Sequence, residues 1–140
     1  AVEGRARVVG VEPRAIPTLN AALAAGAPVT VEVSGIAADS LGASRLGDIA
    51  FAVATRTDAG SVLVDDTAIL EARTALWDRY RLAVEPGGAT AFAALLSGAY
   101  RPAPGERVAV VLCGANTDPA TLTSPTAAPP PERTLRGTRR

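Results

Sequence analysis

The chain has 140 residues, 48% of them apolar and 20% charged, with fourteen basic and fourteen acidic side chains for a formal net charge of zero. That length suits one modest domain rather than two, the apolar share excludes a disordered body, and the even charge removes the basic footprint of a nucleic-acid binder. One cysteine, Cys113, and no histidine exclude an internal disulfide and any multi-thiolate or imidazole metal cage.

The cysteine usage reads as that of an intracellular, cytoplasmic protein. No apolar stretch is long enough to cross a bilayer, and no basic-then-apolar leader opens the chain. Ala1-Val2-Glu3-Gly4 reads as a cut into a longer chain. All fourteen basic residues are arginine, so the chain offers no side-chain amine for Schiff-base chemistry. Large rings are few, so the packing must rest on Ala, Val and Leu.

Residues 5–12 form a charged, then β-branched run that predicts a buried parallel strand ended by Glu12-Pro13. Pro17 opens and Gly26 closes a short helix with Leu19, Ala22 and Leu23 on one face. Val29 to Val33 predicts a second extended piece, and a loop over Ser34 to Ser40 leads to a helix over 43–54 whose inner face carries Leu46, Ile49 and Val53. Ser61 to Val64 predicts a strand. Asp65-Asp66 caps the longest helix, in which Ile69, Ala72, Leu76 and Ala83 keep a 3.6-residue period. Glu85-Pro86-Gly87-Gly88 breaks the chain before an Ala/Leu helix over Ala89–Ser97 that Gly98 ends. Arg107 to Leu112 predicts the clearest buried strand. From Pro119 the composition turns to Pro, Thr and Ala, so the fold ends near residue 122 and residues 123–140 read as a disordered Pro/Thr/Arg tail.

Strands alternating with helices give an α/β fold, a mainly parallel sheet flanked by helices, over residues 1–122. In such sheets ligands sit beyond the carboxyl ends of the strands, which directs attention to three polar clusters. Val108 to Asp118 delivers a thiol, a glycine and an amide to one rim, although on spacing alone Cys113 reads first as a small buried core residue and Gly114 as a turn glycine. In Val84 to Thr90, Pro86 starts a helix and the glycines either leave amides open to an anion or permit close packing. Gly35 to Gly42, with Asp39 and Ser40, reads on its own as a helix-capping loop.

Taken in order, Glu12-Pro13, Gly35-Ile36-Ala37-Ala38-Asp39-Ser40-Leu41-Gly42, Val84-Glu85-Pro86-Gly87-Gly88-Ala89 and Val111-Leu112-Cys113-Gly114-Ala115-Asn116 resemble the C-terminal half of the serine/threonine dehydratases, pyridoxal-phosphate enzymes of fold type II. The resemblance covers about residues 5–118 and implies part of the large domain of that fold. It implies that Cys113 faces the pyridine nitrogen of pyridoxal 5'-phosphate, with Gly114 and Asn116 shaping the turn. Glu85 is expected beside the ring, and Gly35, Ala37 and Ala38 along its other edge. A thiol does not hold the pyridine nitrogen protonated as a carboxylate does, which favours β-elimination over transamination.

Some members of the family bind a divalent cation at positions that correspond to Glu12, Ile16 and Thr18. Threonine stands there in place of a second carboxylate, and one carboxylate with neutral oxygens makes a poor cage for magnesium or calcium. The Schiff-base lysine and the glycine-rich phosphate loop would lie upstream of Ala1 in the family, so no catalytic residue is assigned and the chain is expected to be inactive alone. The expected partners are the missing N-terminal half or a second copy, and a small amino acid such as serine or threonine, with no nucleic acid and no membrane. A non-catalytic remnant that binds a partner is the alternative.

Overall fold

The computed structural model describes residues 4–122. The expected tail over 123–140 and the first three residues of the expected cut lie outside the described residues.

Two strands, β1 (Val9–Pro13) and β2 (Gly60–Val64), pair in parallel, with Val9 opposite Gly60 and Pro13 opposite Val64. Pro13 ends its strand, where its lack of an N–H is tolerated. Between the strands run α1 (Thr18–Ala25), a single turn α2 (Ala38–Leu41) and α3 (Asp48–Arg56). After β2 come α4 (Asp66–Tyr80), α5 (Pro86–Leu96) and a short 3-10 turn, Pro119–Leu122.

The core lies between the sheet, α4 and α5. Val64, Ile69, Ala72, Leu76, Val84, Ala89, Ala93 and Ala94 are buried there, so alanine-rich helix packing replaces the missing aromatics as expected. Small side chains let α4 and α5 approach closely, and dispersion between their surfaces grows with that approach. Trp77, half-buried on α4, carries the Arg81 guanidinium 5.6 Å from its ring centre. Arg81 itself closes α4 in the left-handed conformation, at φ 55°. Among the described residues no helix is long and apolar enough to cross a membrane.

Several expected elements differ. Residues 29–33 form only an isolated antiparallel bridge, Thr30 to Arg45, because the backbone that meets them is a loop and not a strand. The run 107–112 is neither buried nor paired: Val111 is 77% exposed, and no strand lies beside it among the described residues. A β-branched run becomes a strand only where a ladder partner is present. The helix expected over 43–54 begins at Asp48, after Gly47 in extended conformation. Its apolar side looks outward, with Ile49 84% exposed and Ala54 its buried residue.

Ala83 lies beyond the end of α4. Asp65 stands at the N-cap of α4, but its carboxylate pairs with Arg14 at 2.9 Å and makes no cap bond. The expected break at 85–88 is the first turn of α5, with Pro86 at its start. The 119–122 segment is also part of the packed body, since Leu122 is buried against α4 and its neighbours.

Candidate functional site

The three clusters meet at the N-terminal end of α5. Glu85 is its N-cap residue, in extended conformation, and its N–H donates to the carbonyl of Gly114 at 2.7 Å. Gly114 has φ 71°, a conformation that glycine adopts without strain, and a β-carbon there would strike the Glu85 side chain. One step along α5, a β-carbon on Gly88 would run into the Cys113 carbonyl. The pair of glycines therefore serves close packing: Gly88 receives the Cys113 backbone, and Gly87 faces Ser40 and Leu41 of α2.

The Gly35 loop is held from the other side. The backbone N–H of Ile36 donates to Asp66 Oδ2 at 3.1 Å, from the first turn of α4. Ala37 is buried and Ala38 half-buried, so the loop presents backbone rather than long side chains. Thr90, on the next turn of α5, is buried and donates to the Pro86 carbonyl at 2.9 Å.

Cys113 is exposed, which overturns its reading as a buried core cysteine. Asn116 is exposed as well, and the bonds that fix this turn come from elsewhere. They come from Glu85 on one side and from Arg73, whose Nη2 donates to Thr117 Oγ1 at 2.6 Å, on the other. Arg73 was not singled out in the sequence, and Asp66 only as part of the cap of the long helix. The available signal for Arg73 is an arginine at helical spacing inside the apolar face Ile69, Ala72, Leu76.

Glu12, Ile16 and Thr18 stand apart at the turn from β1 into α1, where with Leu41, Ala43 and Arg45 they line a cavity of about 220 Å³. Both Glu12 oxygens accept backbone protons, from Leu19 N–H at 2.6 Å and Asn20 N–H at 2.9 Å. The carboxylate thus caps α1, whose own N-cap position is Pro17 and supplies no side-chain acceptor. Thr18 donates its hydroxyl to the Ala43 carbonyl at 2.7 Å. Among the described residues no three His, Cys, Asp or Glu side chains converge as a metal site.

A larger cavity, about 840 Å³, lies between β1, α1 and α3 and is lined by Val8, Leu19, Leu46, Val53 and Ala54 among others. None of the cluster residues lines it, and its lining is largely apolar.

The residues that meet at α5 suit one edge of a pyridoxal-phosphate ring. They offer an exposed thiol on a rigid turn, a carboxylate side chain beside it and a loop of small residues, but no amine to bond the aldehyde. Comparison with known proteins bears on this directly. The family model described as pyridoxal-phosphate dependent enzyme matches residues 2–114. A phenylserine dehydratase of Ralstonia pickettii is 37% identical over 116 residues, covering 83% of this chain and 36% of that protein. A serine racemase of Arabidopsis thaliana is 32% identical over 120 residues, with the same coverage of 83% and 36%. Among solved structures, a threonine deaminase of the source abbreviated T.th. superposes with a TM-score of 0.66 at 33% identity, over 73% of this chain and 38% of that one.

The chain spans about a third of the length of the curated relatives it matches. Strands β1 and β2 and the surrounding helices reproduce part of their fold, and the family's cofactor is pyridoxal phosphate. By family match, sequence identity and superposition together, this chain belongs to the pyridoxal-phosphate dependent enzymes of fold type II and carries part of their fold.

Proposed function

We propose that the chain is the ring-tuning part of a cytoplasmic amino-acid β-eliminating lyase that converts L-serine or L-threonine to a 2-oxo acid and ammonia. The observation that carries this reading is the Cys113–Gly114 turn, exposed at its thiol and fastened to the N-terminal end of α5 by the Glu85 to Gly114 bond. When bound, pyridoxal phosphate supplies a conjugated acceptor for the electrons released at the amino-acid α-carbon.

Each residue of the turn has a part in this reading. Cys113 would meet the pyridine nitrogen with a thiol, which can share a weak hydrogen bond but does not fix a proton there. A ring whose nitrogen is not held protonated would be a weaker electron sink, and that would favour β-elimination over transamination. Glu85 would lie along the ring, the Gly114 turn would present Cys113 and Asn116 at its rim, and Gly35, Ala37 and Ala38 would line the opposite edge. The cation positions Glu12, Ile16 and Thr18 take no part, since a single carboxylate is already engaged with two amides.

The chain contains no lysine, so the covalent anchor and the proton carrier at the α-carbon must come from residues outside it. The apolar side chains exposed on 107–112, Val108, Val111 and Leu112, form the face on which the remainder of such a domain docks. The same two facts support a second reading, a non-catalytic module that uses this face to bind a partner.

The test is to express the chain in its native reading frame, add pyridoxal phosphate, and record both the visible absorbance of Schiff-base-bound cofactor and ammonia release from L-serine and L-threonine. A band with ammonia release supports the lyase. Absence of the band from the full-length product sinks it and leaves the binding module.

A further inference from the structure

Arg73 projects from the buried face of α4 and is only 8% exposed. A guanidinium in such a place is costly unless its donors are used, and here they are shared between two stretches of chain. Nε donates to the Val84 carbonyl at 2.7 Å. Nη2 donates to Thr117 Oγ1 at 2.6 Å and to Thr121 Oγ1 at 2.7 Å, and Nη1 to the Thr121 carbonyl at 3.3 Å. All four acceptors are neutral oxygens, so geometry rather than charge pairing decides what the side chain does.

Val84 immediately precedes Glu85, and Thr117 immediately follows Asn116. These are the flanks of the two segments that the Glu85 to Gly114 bond joins. The segments are thus tied twice, directly through their backbones and indirectly through one rigid fork anchored on α4. A planar guanidinium reaches acceptors in both directions at once, whereas an ammonium on a flexible stem does not hold that divided geometry.

We propose that Arg73 is the positioning residue of the Cys113 turn, holding residues 113–117 in fixed relation to the N-terminal end of α5. That the turn meets a cofactor rests on the reading proposed above, but the clamp does not depend on it. The mildest way to open the clamp is Thr117→Val, which removes the acceptor next to the turn and leaves the bonds of Arg73 to Val84 and Thr121 in place.

Amide hydrogen exchange without added cofactor reads the outcome. Loss of one charge-assisted bond at the turn corresponds to exchange of the Glu85 amide faster by about tenfold, while amides of the β1–β2 ladder keep their rates. Arg73→Lys is expected to speed the Glu85 amide in the same selective way. If the Glu85 amide keeps its rate in Thr117→Val, or if all amides accelerate together, the proposal is overturned. Protection of Cys113 from alkylation by pyridoxal phosphate in the full-length product is a separate measurement. Selective exchange without protection leaves the clamp standing and removes the cofactor reading, whereas protection without selective exchange does the reverse.

Discussion

The Cys113 carbonyl occupies the space that a β-carbon on Gly88 would take. Gly88→Ala in an ordinary helix would gain up to about 1 kcal/mol of propensity. Here the obstacle is backbone, so the turn must move away, and the net loss is about 1–3 kcal/mol. Gly87→Ala meets the Ser40 and Leu41 side chains instead, which can shift, and its loss is expected to be smaller. Urea unfolding of the two variants side by side checks the order.

Cys113→Ser keeps a hydroxyl in place of the thiol and is expected to retain ammonia release in the full-length product. Cys113→Asp places a carboxylate at the turn, where it would favour a protonated pyridine ring. Ammonia release should fall on the order of tenfold, about 1.4 kcal/mol of barrier. Steady-state rates on L-serine for the parent and both variants decide it, and equal rates for all three would contradict the proposed contact.

Glu12 caps α1 from the end of the preceding strand. Glu12→Ala leaves two first-turn amides without acceptors and should cost about 1–2 kcal/mol. Glu12→Gln keeps one acceptor oxygen and should cost less. Denaturant midpoints for the pair test this, with equal losses excluding a capping part for the carboxylate.

Asp66 ties the Gly35 loop to α4 through the Ile36 N–H. Asp66→Ala removes that acceptor and a favourable charge in the first turn of α4, for a combined cost of about 1–2 kcal/mol. The local signature is faster exchange at the Ile36 amide, which a loss of helix stability alone would not single out.

Tyr100 and Glu106 close the loop after α5, the phenol donating to Glu106 Oε1 and the Ala103 N–H donating to Oε2 at 2.8 Å. The hydrogen bond from Tyr100 lowers the Glu106 carboxyl below its ordinary 4.5, helped by the Ala103 amide. The same bond raises Tyr100 above 10.0, with some desolvation and the nearby Glu106 charge adding to it. A lowered carboxyl contributes stability above its ordinary value and loses it as pH falls through the lowered one, while a raised phenol contributes below 10.0 and loses it as pH rises through the raised one. The melting-temperature difference between parent and Tyr100→Phe should therefore be widest at neutral pH and narrow at both extremes. Because Glu106 is solvent-exposed and Tyr100 only half-buried, the difference is small. A pH-independent difference would mean the bond is not made in solution.

What the sequence revealed and what it withheld divides along local and distant causes. The helix over α1, the parallel strands β1 and β2 and the period of α4 rest on nearby punctuation and spacing: Pro17 and Gly26, the β-branched runs, and Ile69 with Ala72 and Leu76. The run 107–112 has equally strong local propensity, yet a strand needs a neighbour and none is offered among the described residues. The choice between anion binding and close packing at Gly87-Gly88 likewise depends on the distant Cys113 backbone, which occupies the space beside Gly88. Arg73 was hidden for the same reason, since its acceptors at Thr117 and Thr121 are 44 and 48 residues away. The motif resemblance identified the family because short clusters keep their order even where the elements between them change.

The position of Trp77 affects how all of these variants should be measured. It is the one tryptophan in the chain, seated on α4 under the Arg81 guanidinium, so its emission follows the C-terminal end of α4. Far-UV ellipticity also sums α1 and α3, which border the thinly covered apolar groove. Melting curves from the two signals superimpose if the whole unit opens at once. An ellipticity loss that precedes the fluorescence change would locate the first loosening on the α1–α3 side and leave the Cys113 turn intact at that stage.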